Sequence, residues 1–342
     1  MSGSIEINVL KNLNNENVSD YNSSRGILTR IVQNFNKIDI KEIEPTTQNI
    51  NKSIYEGDLS VVVDKLINIT LNDLNKGSAN EERKNHIIDY INNHKVILQE
   101  IYNWLLNNQN HSNSIYLFGY FNYHGIETNN NKQKALELYQ KAAELENIAA
   151  QLDLANMYIN EKWTEKNCNK IFELTKKLAE KNNPNAINRL GYCYDCGIGT
   201  DVNKQKAFEL YQKAAEMGNS NGVNNVGWCY ENGYGTNINK QKAFEFYQKA
   251  ADLGNVNGMN SLGWCYKNGI GTGVDGHKAF ELYQKAANLG NEYSQYNLAL
   301  MYENGDEIKK DITKAIYWYK KSAEQGHDHA EKKLTKILKI LN

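Results

Sequence analysis

The residues of this 342-residue chain that could do chemistry sit close together and recur. Residues 226–236, VGWCYENGYGT, bring together a Trp, a Cys, a Tyr and two glycines. A Gly-x-Gly turn can offer backbone N–H groups to a phosphate, but such a loop follows a strand and opens a helix. Gly233-Tyr234-Gly235 follows a helical pattern instead, and the pair returns at Gly197/Gly199 and Gly269/Gly271. These glycines read as turns at positive φ. Cys193, Cys229 and Cys265 hold one position in successive units, roughly 9–10 Å apart if the units stack as packed helices, beyond disulfide reach. Cys193-Tyr194-Asp195-Cys196 is a lone C-x-x-C, whereas a closed zinc site needs four ligands. With Cys168 the cysteines number five, and they read as free thiols, the stacked three as small buried apolar groups. His327-Asp328-His329 stands at a helix start and reads as a cap. No Ser–His–Asp order, H-E-x-x-H or Walker loop appears. The chain is expected to be no enzyme, with no catalytic residue, cofactor or metal.

The elements that position these residues follow from a fixed period. Phe118, Leu154, Leu190, Val226, Leu262 and Leu298 open equivalent stretches 36 residues apart, and Ala135, Ile171, Ala207, Ala243, Ala279 and Ala315 open a second set with the same step. Such a period fixes an architecture of stacked units. Each unit reads as two helices. In the second, Ala207, Leu210, Tyr211, Ala214, Ala215 and Met217 form an apolar stripe, and Lys204, Lys206, Glu209, Gln212, Lys213 and Glu216 a solvated face. Gly218, Gly254, Gly290 and Gly326 suit the left-handed residue that ends a helix. Asn183-Pro184 suits a helix start, with Asn as cap and Pro in the first turn. Helices of ~12–14 residues are marginal alone, so each unit must bury its stripe on the next.

Bulk properties agree. Only 2 prolines interrupt the chain, and the net charge of −1 offers no electrostatic footprint for nucleic acid or a membrane surface. No basic-then-apolar leader and no window of 18 apolar residues is present, so a cytoplasmic or nucleocytoplasmic protein is expected. Residues 1–24 read as a flexible tail and 25–112 as a helical region, with a short helix at 27–35, a break at Pro45, a helix from Ser53 carrying Leu59, Val63, Leu66, Ile67 and Leu74, a break at Asn75–Ser78, then helices at 86–92 and 95–108. These last two read as an end cap or a degenerate repeat. Residues 113–342 carry six units and a closing helix.

The motif from Gly222 to Gly254 resembles the Sel-one-like repeat (SLR), a branch of the tetratricopeptide-repeat superfamily: Val226, Gly227, Tyr230, Gly233, Gly235, Lys242, Ala243, Phe246, Tyr247, Lys249, Ala250, Ala251 and Gly254 match its pattern. The unit at 149–184 departs most, with Glu161 and Trp163 for the glycines and Thr175 for the Tyr. The resemblance implies an all-α, right-handed superhelical solenoid whose first helices line a concave face. That mapping selects Tyr120, Tyr192, Trp228 and Trp264 in one stripe and Asn188, Asn224, Asn260 and Tyr296 in another. Amides can pair with a peptide backbone, and Tyr and Trp provide rigid apolar area. The expected function is a non-catalytic scaffold or adaptor holding an extended segment or domain of a partner protein there. SIYEGDLSVVVDKLINITL, NHKVILQEIYNWLLNNQ and NSIYLFGYFNYHGIET resemble a helical connector of fungal kinase–SLR proteins, which implies a kinase-pathway context. A hydrolase in the groove, proposed for some bacterial relatives, lacks a nucleophile–base pair on these stripes.

Overall fold

Asparagine and glycine set the helix boundaries of the repeats. The computed structural model describes residues 56–160 and 165–341; the tail at 1–24, the helix at 27–35, Pro45 and the altered loop at Glu161 and Trp163 lie outside the described residues. Three helices come first: α1 (Glu56–Lys76), α2 (Asn80–Asn93) and α3 (Leu98–Asn107). Six A/B pairs follow: α4 (Ser112–His124) with α5 (Lys132–Glu144), α6 (Ile148–Asn160) with α7 (Glu165–Glu180), α8 (Pro184–Cys196) with α9 (Lys204–Glu216), α10 (Ser220–Asn232) with α11 (Lys240–Asp252), α12 (Val256–Asn268) with α13 (Gly276–Asn288), and α14 (Glu292–Asn304) with α15 (Ile312–Glu324). Helix α16 (Asp328–Leu341) closes the stack. No strand occurs among the described residues. From α4 to α16 each helix packs on its sequence neighbours, as a solenoid requires.

Asn147, Asn183, Asn219, Asn255 and Asn291 cap the A helices α6 to α14, each accepting from the backbone N–H three residues on at 2.8–3.0 Å. Asn131, Asn203, Asn239, Asp275 and Asp311 do the same for the B helices α5 and α9 to α15. Each such cap stabilises by about 1 kcal/mol. These eight asparagines are therefore structural.

Within a unit, the B-helix tyrosine lies on an A-helix glycine. A Cβ at Gly191, Gly227 or Gly263 would stand 2.8–2.9 Å from the ring of Tyr211, Tyr247 or Tyr283. In the divergent unit both residues change together, to Ala155 and Thr175, and the Thr175 hydroxyl donates to the Ile171 carbonyl instead. Between units, Phe172, Phe208, Phe244 and Phe280 meet Tyr194, Tyr230, Tyr266 and Tyr302 of the next A helix edge-on at 5.4–5.8 Å. Lys206, Lys242, Lys278 and Lys314 cover those tyrosines at 4.2–5.2 Å. The sequence stripe of the B helix needs one correction. Met217 is exposed and Phe208 is buried, because a B helix is sandwiched between its own A helix and the next unit and so buries two faces.

The Gly-x-Gly pairs are turns. The first glycine of each ends the A helix in the left-handed region. The second, at φ +66°, passes the preceding B helix so closely that a Cβ at Gly235 or Gly271 would lie 2.2 Å from the carbonyl oxygen of Lys204 or Lys240. In the last unit Glu307 takes this position, and the residue opposite shrinks from Lys to Gly276. Gly235→Ala is expected to cost about 3 kcal/mol in thermal or urea unfolding. A second test concerns the Tyr hydroxyls. Tyr247 and Tyr319 donate to Glu231 and Glu303 at 2.7 and 2.5 Å, whereas Tyr283, whose equivalent residue is Lys267, has no partner among the described residues. Lys267→Glu is expected to raise stability by about 1 kcal/mol by supplying the missing acceptor; an unchanged melting temperature would refute this pairing.

Candidate functional site

Helix α1 spans 21 residues, about 31 Å at 1.5 Å per residue, the width of roughly three packed helix pairs. It runs against α4, α6 and α8, the first three A helices, and buries Leu59, Val63, Leu66, Ile67 and Leu74 there. It thus lines the A-helix face, where an end cap or a preceding repeat would sit at the edge of the stack. Helix α2 returns from the Gly77 turn and adds Ile87 and Ile91 to the same core.

Asparagines at the A-helix starts hold this hairpin. Asn113 Nδ2 donates to Asp64 at 2.8 Å, Asn185 Nδ2 to the Leu74 carbonyl at 2.6 Å, and Asn221 Nδ2 to the Gly77 carbonyl at 3.1 Å. The cap Asn219 adds a bond to the Asn75 carbonyl at 2.9 Å. Residues 113, 185 and 221 are equivalent positions, and the next, Asn257, is exposed. Its Oδ1 accepts from Asn291 at 2.8 Å, while its Nδ2 makes no hydrogen bond among the described residues.

Beside the turn, Arg83 of α2 grips Asp153 of α6 through both guanidinium ends at 3.1–3.2 Å, with 3% and 5% of the two residues exposed. The Tyr116 hydroxyl donates to Asp153 at 2.8 Å and Asn80 accepts from Arg83 at 2.6 Å. Burial alone would raise the Asp153 carboxyl; Arg83 and the Tyr116 hydroxyl outweigh it and hold it below the usual carboxylate range. His124, its ring tilted against Tyr120 at 4.2 Å, is pushed down to about 4 by burial and by Arg83.

The Sel1 repeat profile matches residues 112–147, 148–183, 184–219, 220–255, 256–291 and 292–327. The chain belongs to the Sel1 repeat family. A Sel1 repeat protein from Oxalobacter formigenes is 26% identical, with a TM-score of 0.53 over 68% of this chain and 94% of that one. A protective antigen of uropathogenic Escherichia coli displaying an SLR fold is 31% identical, with a TM-score of 0.46 over 71% of this chain and 52% of the other. This chain thus spans about half the length of that antigen. No curated protein matches the sequence. Sel1 repeat proteins generally mediate protein–protein interaction.

Along these Sel1 repeats the residues selected from sequence meet different surroundings. Tyr120 is fully buried under the hairpin, with Arg83 5.9 Å from its ring centre. Tyr192 is half-buried. Trp228 packs on Tyr234 at 4.6 Å, and Trp264 stands 45% exposed. Tyr296 stacks on His327 at 4.7 Å, and His327 caps α16 through the Ala330 N–H. Asn188 and Asn260 accept from Asn225 and Asn297 of the following A helices, so their oxygens are spent between units. Asn224 Oδ1 is buried without a partner among the described residues. Asn185 and Asn221, with the cap Asn219, hold hairpin backbone; the sequence reading did not single out Asn185 and Asn221, and their 36-residue spacing two residues after each cap was the available signal. Cys193, Cys229 and Cys265 are buried, which raises their thiols to about 11, 12 and 12. Among the described residues no His, Cys, Asp and Glu cluster could hold a metal, and no helix is long and apolar enough to cross a membrane.

Removing one member of a buried ion pair strands the other, so Asp153→Asn is expected to cost about 3 kcal/mol. The pH dependence has a definite sign. Asp153 contributes stability above the unfolded carboxylate value near ~3.9, which is lost as pH falls through its lower folded value. Between about 6.5 and 4 the unfolded chain protonates its His124 while the fold does not, so stability falls on acidification through that window. His124→Phe is expected to flatten this part of the stability–pH curve, measured by urea unfolding.

Proposed function

We propose that this protein is a non-catalytic scaffold whose working surface is the A-helix face of the later repeats, where the chain's own hairpin ends. One observation supports this most directly. Asn185 and Asn221 already bind backbone carbonyls of a chain segment crossing the face, and Asn257 offers the same donor with no hydrogen bond on it among the described residues. A partner segment extending the path of the Leu74–Gly77 turn would place a carbonyl on Asn257 Nδ2. Asn257 opens onto a groove of about 600 Å³ bordered by Gln295 of α14 and by Tyr317, Trp318, Lys321 and Gln325 along and at the end of the B helix α15. Tyr317 is 53% exposed, and it and Trp318 supply the rigid apolar area that anchors binding segments. Trp228, Trp264 and Tyr296 belong to the same repeats and extend the surface. Tyr120 and Asn188 sit where the hairpin and the next repeat already cover them, so the partner's footprint falls on the fourth to sixth repeats.

Binding peptides selected from a random displayed library against the full chain test this reading. Asn257→Ala is expected to weaken a selected peptide about fivefold, the value of one net hydrogen bond, and Trp318→Ala at least about tenfold. Lys206→Ala, on the B-helix side, should leave affinity unchanged. Failure to select any peptide, or equal affinity in all variants, would refute the placement.

A further inference from the structure

A second cavity, of about 330 Å³, lies between the Gly77 turn, α2 and the A helices α4, α6 and α8. Its lining carries an uneven charge. Arg83 and Arg189 are cationic and Asp153 is anionic, while His124 is neutral above about pH 4. Asp153 is fully engaged by Arg83, Tyr116 and Asn156. One guanidinium, that of Arg189, is left without a carboxylate. Its Nε donates to Asn185 Oδ1 at 2.8 Å, and Asn185 is itself fixed by the Leu74 carbonyl. This fixes the plane of the fork. Nη1 and Nη2 of Arg189 make no hydrogen bond among the described residues. Arg83 Nε, also at this cavity, is buried and has no partner among them either. Arg189 is partly exposed at the cavity; burial of the rest of its side chain lowers it to about 10, with the Asp153 charge opposing and Arg83 adding to the shift.

We propose that this cavity is a binding site for a single carboxylate, taken bidentately by Nη1 and Nη2 of Arg189. A planar fork with two free donors matches a carboxylate in geometry and charge, and a monoanion brings the cluster to neutrality. A phosphate dianion would overshoot by one charge. The volume accommodates a short carboxylate-bearing group, such as an acidic side chain of a partner segment or a small organic acid. Asn257 also borders this cavity, but the fork that takes the carboxylate belongs to Arg189.

The test uses the full chain at constant ionic strength, with binding followed by calorimetry and by the Arg Nε–Hε resonances. The probes are N-acetyl-glutamate methylamide, its uncharged glutamine counterpart, and the monoanion butyrate. The glutamate probe or butyrate is expected to bind saturably and to shift the Arg189 resonance, and the glutamine probe is not. Tighter binding of blocked glutamate assigns the site to a protein side chain; tighter binding of butyrate assigns it to a free acid. Arg189→Gln should weaken binding at least about tenfold while circular dichroism stays unchanged. Arg189→Lys, which keeps the charge but loses the fork, should fall between the two. Lys206→Ala, whose side chain does not border this cavity, should bind the probes as the unaltered chain does. No saturable binding, equal binding of the glutamine probe, or full binding by Arg189→Gln would overturn the proposal.

Discussion

No unit of this solenoid can bury its own faces, and the contact that relieves this is the edge-on meeting of a B-helix phenylalanine with the tyrosine of the next A helix. The pattern runs Phe172/Tyr194, Phe208/Tyr230, Phe244/Tyr266 and Phe280/Tyr302. Each tyrosine is covered on its other side by a lysine of its own unit. The ring lies sandwiched between two units, so the helix pairs approach at one distance and one angle. Fixing that step makes the A-helix starts fall in register, and the amide ladder depends on that register.

Translation alone would give every repeat the same surface. The α1–α2 hairpin breaks this equivalence. Over the first three repeats its apolar stripe turns a solvent-facing stripe into core, and the Arg83–Asp153 pair is sealed in at the seam. Such a buried pair is weak as a source of stability but strict as a specifier, because any other seating of the hairpin leaves a stranded charge. The hairpin is therefore a fixed liner. Leu66, Ile87 and Ile91 have no exposed surface and sit in the same apolar cluster as Tyr116 and Phe121 of the first repeat.

The period, the helix pairs, the capping asparagine of α8 and the turn glycines were legible in the sequence because local chemistry decides them. The inward reading of Met217 failed because a single stripe cannot describe a helix packed on two sides. The position of α1 was not legible. Its spacing announced an amphipathic helix, but nothing in a stripe of Leu, Val and Ile says whether it meets the end or the face of a stack. The Arg83–Asp153 pair joins residues 70 apart in sequence and carries no local signature. The ladder at Asn188, Asn224 and Asn260 lies one helical turn beyond Asn185, Asn221 and Asn257, and there Asn188 and Asn260 accept from the following A helix.

The same chemistry explains why the helix starts, and not their middles, offer donors. A capping asparagine spends its Oδ1 on its own helix and must place its Nδ2 elsewhere. Asn255 and Asn291 place theirs on Asn221 and Asn257, two residues into the preceding A helix. That satisfies the oxygen of the receiving amide and leaves its Nδ2 as the one uncommitted group. Each step of the ladder thus passes the unmet donor back to the previous unit, at a helix N-terminus where the backbone dipole favours an acceptor. At Asn113, Asn185 and Asn221 the chain meets that demand with its own hairpin. At Asn257 the hairpin has turned back, and the Nδ2 makes no hydrogen bond among the described residues.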